Sequence, residues 1–199
     1  KRPLSGDPFY PTTENGVVYD CFSLRVVHVR DRTGFEATRE LAVQVGDLIA
    51  ARYQVLGHLG TAAFSSAVKC LDRVTNDTVC MKIIKNSKDF LDQSLDEIKV
   101  LRLIGANTDS LDEKNCLRLI DHFYYREHLI IVTEALAENL YEFSKLNRES
   151  GDVPYFTLGR IQRIAKQVLV SLEYIHGLQL VHADLKPENI LMKSYSQCE

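Results

Sequence analysis

Three residues within one short stretch carry side chains suited to moving a phosphoryl group. They are Asp184, Lys186 and Asn189, in His182-Ala183-Asp184-Leu185-Lys186-Pro187-Glu188-Asn189. A carboxylate can accept the proton of an attacking hydroxyl. An ammonium offsets charge on the transferred group, and an amide oxygen suits a hard divalent cation. Asp-x-Lys alone describes many polar surface loops. The whole string, set between the apolar runs 178–181 and 190–192, is far more specific. A second candidate is Lys82, in Val79-Cys80-Met81-Lys82, with apolar neighbours on both sides. A lone strand lysine usually faces solvent, but two acids at helical depth, Asp96 and Glu97, could pair with it.

The elements that must hold these residues follow from periodicity. Residues 53–59, 67–72 and 79–84 read as strands, separated by turns at 60–66 and at Thr75-Asn76-Asp77. The period then changes. Leu91, Leu95, Ile98 and Leu101 recur at three and four, which predicts a helix with Gly105 as its stop. Strands are expected again at 117–123 and 129–133. Past Asn139 the pattern is helical. The strongest helix carries Leu158, Ile161, Ile164, Val168, Leu172 and Ile175, with Thr157 as N-cap and Gly177 as stop. Upstream, 1–16 reads as a flexible arm, and 22–29 and 41–45 are short β-prone runs around a turn at Asp31-Arg32-Thr33-Gly34. The order implies an α+β, two-lobed architecture: a small β-rich lobe with one helix over 53–138, then a helical lobe from 139 to 199. The connector 134–138 falls between them, where ligand clefts favour lying.

Composition excludes several classes. The chain has 199 residues, a formal charge of −3 and 45% hydrophobic content, which suits a soluble globular protein of one or two domains. The charge gives no reason to expect nucleic acid or a membrane surface as partner. No apolar run is long enough to span a bilayer. The five cysteines, Cys21, Cys70, Cys80, Cys116 and Cys198, are scattered and form no CxxC pair, so reduced thiols and a cytoplasmic or nuclear location are expected. The histidines show no metal-ligand spacing. The first residue is not methionine, which suggests a piece of a longer protein.

The segment 182–189 resembles the protein kinase catalytic loop, H-R-D-L-x-x-x-N. The resemblance implies that Asp184 is the catalytic base, Lys186 a phosphate contact, Asn189 a metal ligand and His182 scaffold. It implies ATP and Mg2+ as cofactors and proteins as substrates. Residues 79–82 are similar to the V-A-I-K strand, which makes Lys82 the contact to the α- and β-phosphates and Glu97 its partner. The glycine-rich loop departs from G-x-G-x-x-G-x-V. Gly60-Thr61-Ala62-Ala63-Phe64-Ser65-Ser66-Ala67 keeps only the first glycine, so a stiffer loop and weaker nucleotide binding are expected. Ser65 and Ser66 read as small polar filler rather than as modification sites. By position, Leu59, Gly60 and Ala67, with Val68, would roof the base. Thr133 would be the gatekeeper, Glu134 and Leu136 would offer backbone groups to adenine, and Asn139 would sit near the ribose.

Finer likenesses point within the family. Lys82-Ile83-Ile84-Lys85-Asn86, Lys88-Asp89-Phe90, Gln93-Ser94-Leu95-Asp96-Glu97-Ile98 and Glu138-Asn139-Leu140-Tyr141-Glu142 resemble DYRK kinases. The alanine-and-serine loop and Tyr195-Ser196-Gln197-Cys198 look closest to the plant- and alga-type branch. That likeness implies Ser/Thr phosphorylation of substrates, autophosphorylation on tyrosine, a monomer, and an accessory segment over 17–52 packed on the small lobe. Ala183 stands where many kinases carry an arginine that grips a phosphorylated loop, a bond alanine cannot make. The family's D-F-G segment would lie beyond Glu199, so residues 1–199 alone are expected to be inactive, with apolar surface exposed along the helix from Leu158. The alternative is a pseudokinase or ATP-binding scaffold.

Overall fold

The computed structural model describes residues 12–14, 17–19, 23–28, 30, 39–151 and 155–193. Strand β1 (Thr12–Glu14) pairs antiparallel with β2 (Val17–Tyr19) as a separate two-stranded sheet. The arm expected at 1–16 therefore contains a strand; its other residues lie outside those described. So do Phe22, Val29 and the turn at 31–34.

Seven strands form the main sheet: β3 (Val26–Val27), β4 (Leu48–Ile49), β5 (Tyr53–Thr61), β6 (Ser65–Asp72), β7 (Thr78–Ile84), β8 (Leu119–Tyr125) and β9 (His128–Glu134). Their order is β3-β8-β9-β7-β6-β5-β4. All neighbours are antiparallel except β3, which lies parallel to β8. The expected strand at 41–45 does not form. Asp47 draws that backbone into a turn: its carboxylate accepts from Gln44 N at 2.8 Å, its own N–H donates to Gln44 O, and Gly46 between them takes φ 96°. The turn expected over 60–66 is shorter, because β5 runs on to Thr61 and β6 starts at Ser65.

Alternation gives the sheet two apolar faces. On the outer face Met81, Ile83, Val68, Val55, Ile130 and Val132 are buried together, with Leu41, Val43 and Val27 packed against them. On the inner face Ile84, Leu129 and Ile131 meet Ile98 of helix α1 (Lys88–Ala106). Residues 41–50 thus cover the outer face, and α1 covers the inner one.

Helix α1 passes through Gly105, contrary to expectation. It ends where the Asn107 amide donates to Leu103 O at 2.7 Å, so the side chain, not a left-handed glycine, closes the last turn. A single-turn helix α2 (Leu111–Lys114), capped by Ser110, follows. The β-rich lobe therefore has two helices where one was expected, and β8 starts at Leu119 rather than 117. The β8–β9 hairpin turns on Arg126 and Glu127 at φ 48° and 62°, a left-handed pair achieved without glycine.

Helix α3 (Leu140–Glu149) and helix α4 (Leu158–Gly177) follow. Thr157 caps α4 as expected, accepting from Arg160 N. Gly177 is not the stop. It belongs to the helix, and the left-handed residue beyond is Gln179, at φ 61°. Helix α4 leaves Leu158, Ile161 and Leu169 49–73% exposed.

Candidate active site

The register of β6, β7 and β9 decides which way each strand residue faces. Ala67, Lys82 and Ile131 are cross-strand neighbours and share the inner face, where Ile131 packs beneath α1. Lys82 therefore points toward that helix. Its Nζ donates to both carboxylate oxygens of Glu97, at 2.9 and 2.7 Å. Asp96, the other acid considered, is 74% exposed at its side chain and pairs with Lys99 instead. Helical geometry separates them: residue 97 adjoins buried Ile98, while residue 96 turns outward.

Val68 is opposite Met81 and buried in the outer core, so it cannot help roof a ligand on the Lys82 side. Neighbouring strand residues face opposite ways, and of Ala67 and Val68 only Ala67 qualifies. Ser66 likewise faces outward. With Leu41, Val43, Ile83 and His128 it lines a cavity of about 170 Å3 behind the sheet. Ser65 is 5% exposed, which fits its reading as filler.

The phosphate-loop equivalent is a tight turn. Ala62 N donates to Ser65 O at 2.7 Å, and none of residues 60–66 adopts a left-handed φ. That is why alanine and serine are tolerated here without backbone strain. A Cβ at Gly60 would meet nothing within 4 Å, so the space beside it is open. At the tip, Phe64 lies over the Lys82 ammonium at 5.1 Å and is tilted against Phe90 of α1 at 6.4 Å. Sequence reading did not single out Phe64 or Phe90. It also missed Cys80, which lies two residues before Lys82 on the same face and opposite Thr133. Counting by two from Lys82 would have found it. Burial raises the Cys80 thiol pKa, so the neutral form is favoured there.

The connector after β9 carries the other predicted positions. Thr133 is 9% exposed and its hydroxyl donates to Glu134 O at 3.3 Å. The Glu134 carboxylate turns away to accept from Arg118 N at 2.9 Å. Asn139 is chiefly an N-cap: its Oδ1 accepts from Glu142 N at 2.8 Å, leaving only its NH2 for a ligand. Three backbone bonds then tie the connector to the loop's far end, Ala137 N to Met192 O, Met192 N to Glu138 O and Leu140 N to Ile190 O, at 2.7 to 3.2 Å. They place the loop beside the connector.

Within the loop, Asp184 N donates to His182 O at 2.8 Å, closing a γ-turn about Ala183, whose φ is 60°. A left-handed alanine costs about 1 kcal/mol, held here to aim the next side chain. Asp184 Oδ2 receives Lys186 Nζ at 2.9 Å and Asn189 Nδ2 at 3.0 Å. The three side chains expected to act together do meet. Those bonds from Lys186 and Asn189 hold the Asp184 carboxyl below its ordinary pKa, and Asp184 in turn raises that of Lys186. Asn189 gives its NH2 to Asp184, so its amide oxygen sits on the opposite corner. A carboxylate beside a free amide oxygen fits a hard cation such as Mg2+. Leu59 is 52% exposed on β5, at the register shift just before Gly60, which pairs with Ala67.

A strand lysine clamped by a helix glutamate, together with an Asp-Lys-Asn loop bonded at its far end to the connector that leaves the sheet, is the arrangement of a protein kinase. The Protein kinase domain family matches residues 53–198, and the chain belongs to it. The relatives it resembles include DYRK-type kinases. It is 41% identical over 160 residues to the DYRK-family kinase pom1 of Schizosaccharomyces pombe, covering 80% of this chain and 14% of that protein. It is 38% identical over 151 residues to the dual specificity tyrosine-phosphorylation-regulated kinase 4 of Homo sapiens, covering 76% of this chain and 28% of that one. A solved kinase domain superposes with a TM-score of 0.71 at 25% identity, covering 78% of this chain and 44% of that structure. The chain thus spans less than half the length of each of these proteins.

Proposed function

We propose that this chain is the nucleotide-binding and catalytic-loop portion of a kinase that transfers the γ-phosphoryl group of Mg-ATP to Ser and Thr hydroxyls of proteins and phosphorylates itself on tyrosine. The reading rests first on the Lys82–Glu97 pair, whose two bonds of 2.9 and 2.7 Å hold an ammonium ready for phosphate oxygens. Lys82 anchors the α- and β-phosphates. Asp184 orients the substrate hydroxyl and takes its proton, and Lys186 offsets charge on the transferred group. Asn189, through its amide oxygen, would hold Mg2+, which when bound neutralises phosphate charge. Leu59, Gly60 and Ala67 roof the base, Thr133 limits its depth, Glu134 and Leu136 offer backbone groups to it, and the Asn139 NH2 reaches the ribose. The protein is a monomer of the plant- and alga-type branch, acting in cytoplasm or nucleus, with 17–52 as an accessory segment; residues 1–199 alone are inactive.

The phosphate loop favours a second reading. Its closed turn at Ala62 and Ser65 suits a scaffold that binds ATP weakly or not at all. Radiolabelled Mg-ATP separates the two. The full-length protein should transfer label to protein hydroxyls, and Asp184→Asn should lower kcat by about a thousandfold with little change in nucleotide affinity. Absence of both transfer and Mg-ATP binding in the wild type would sink the enzyme reading.

A further inference from the structure

The Lys82–Glu97 pair is only as well placed as α1, and α1 is held from an unexpected direction. Ile98, next to Glu97, is fully buried against Ile84, Leu129 and Ile131. Leu24 and Tyr124 pack against that cluster, along with Leu119 and the α1 side chains Phe90, Leu91, Leu95 and Leu101. Leu24 belongs to the segment preceding β3. It reaches the cluster because β3 adds a parallel strand to β8, with Val26 opposite Tyr124 and Tyr124 N donating to Arg25 O at 2.8 Å.

The strand is latched by charge as well. The Arg25 guanidinium bonds Asp121 Oδ2 and lies over the Phe123 ring at 5.3 Å. Asp121 is 15% exposed at its side chain and also receives the Tyr53 hydroxyl at 2.9 Å and Arg52 at 3.4 Å. A two-residue parallel strand has little ladder of its own. Side chains therefore help fix it: Leu24 on the inner face, Val27 on the outer and Arg25 at the edge. At the other end of α1, Ser87 gives no side-chain cap, so the helix depends on packing for its place.

We propose that residues 23–28 are a built-in positioning element for the active site: Leu24 buttresses α1 through the Ile98 cluster, Arg25 latches the strand on Asp121, and together they hold Glu97 on Lys82. Leu24 touches no reacting group. It acts through α1, and withdrawing it opens space into which the Ile98 turn relaxes. A charged hydrogen bond of under 3 Å does not survive a shift of an ångström.

The inference rests on the kinase reading for its activity arm only. In the full-length protein, Leu24→Ala should speed amide exchange in α1 and lower kcat, each by about tenfold, while the volume-conserving Leu24→Met restores both. Val43→Ala, on the outer face, is the control for general loosening: it should reduce unfolding stability comparably yet leave α1 exchange and kcat at wild-type values. Unchanged α1 exchange in Leu24→Ala would overturn the proposal, and so would equal acceleration by Val43→Ala. A wild type with no transfer at all would count against the kinase reading, leaving the exchange comparison to decide this one.

Discussion

Ala67 and Val68 adjoin in sequence and do opposite work. Ala67 shares the inner face with Lys82, where its small side chain leaves room beside the ammonium. Val68 is 1% exposed in the outer core. Ala67→Phe should therefore fill the nucleotide side, lowering Mg-ATP affinity at least tenfold with little loss of stability. Val68→Ala should do the reverse, costing about 2 kcal/mol in urea unfolding with nucleotide affinity unchanged. Equal effects of both on affinity would show that the face assignment is wrong. Charge state is likewise set locally. Asp184 draws its lowered pKa from Lys186 and Asn189, so the carboxylate stays ionised across the neutral range where it would have to accept a proton.

Asn139 shows how an element claims a residue that position alone assigns to a ligand. Its Oδ1 satisfies one of the free N–H groups at the start of α3, a helix with no fully buried residue to hold it. Asn139→Ala should lower stability by about 1 kcal/mol and speed exchange at Glu142 and its neighbours. Asn139→Ser, another good cap, should restore most of both. A stability change near zero in the alanine variant would return Asn139 to a purely ligand-facing role. Elements also close differently from what glycine counting suggests. Both Gly105 and Gly177 lie inside helices, because the Asn107 amide and left-handed Gln179 do the terminating.

At the scale of the molecule, two cores share one sheet, and ionic contacts stitch its edge. Arg52 donates to Asp72 through Nε and Nη2 at 2.9 and 2.6 Å, with Val74 N adding a third bond at 3.0 Å. Asp72 is fully buried, and these bonds bring its pKa down from 3.8 to about 2. A depressed carboxylate contributes stability that is whole above its unfolded pKa and is lost as pH falls through the folded one. The window is therefore pH 4 to 2, and the contribution is about 2 kcal/mol. Urea unfolding across that range should show the loss in the wild type, and Asp72→Asn should remove about that much of the acid dependence while being less stable at pH 6. An identical pH slope in the variant would refute the assignment.

Much of this was legible in the chain itself. The loop 182–189 carries its chemistry in consecutive residues, so local sequence suffices to recognise it. The strands over 53–84 and the cap at Thr157 are local too, since alternation and capping act within a few residues. Other features depended on partners far along the chain. Alternation says that Ala67 and Val68 face apart, but only the pairing with Lys82 and Ile131 says which faces the site. The resemblance names Glu97 over Asp96, and docking of α1 through Ile98 is what brings its carboxylate to Lys82. Nothing in 22–29 announced a parallel strand on β8, because such a pairing is set by contacts nearly a hundred residues away. The sequence by itself determined which side chains could do the chemistry, and the tertiary structure decided which of them meet, because orientation belongs to packed pairs of elements and not to any one of them.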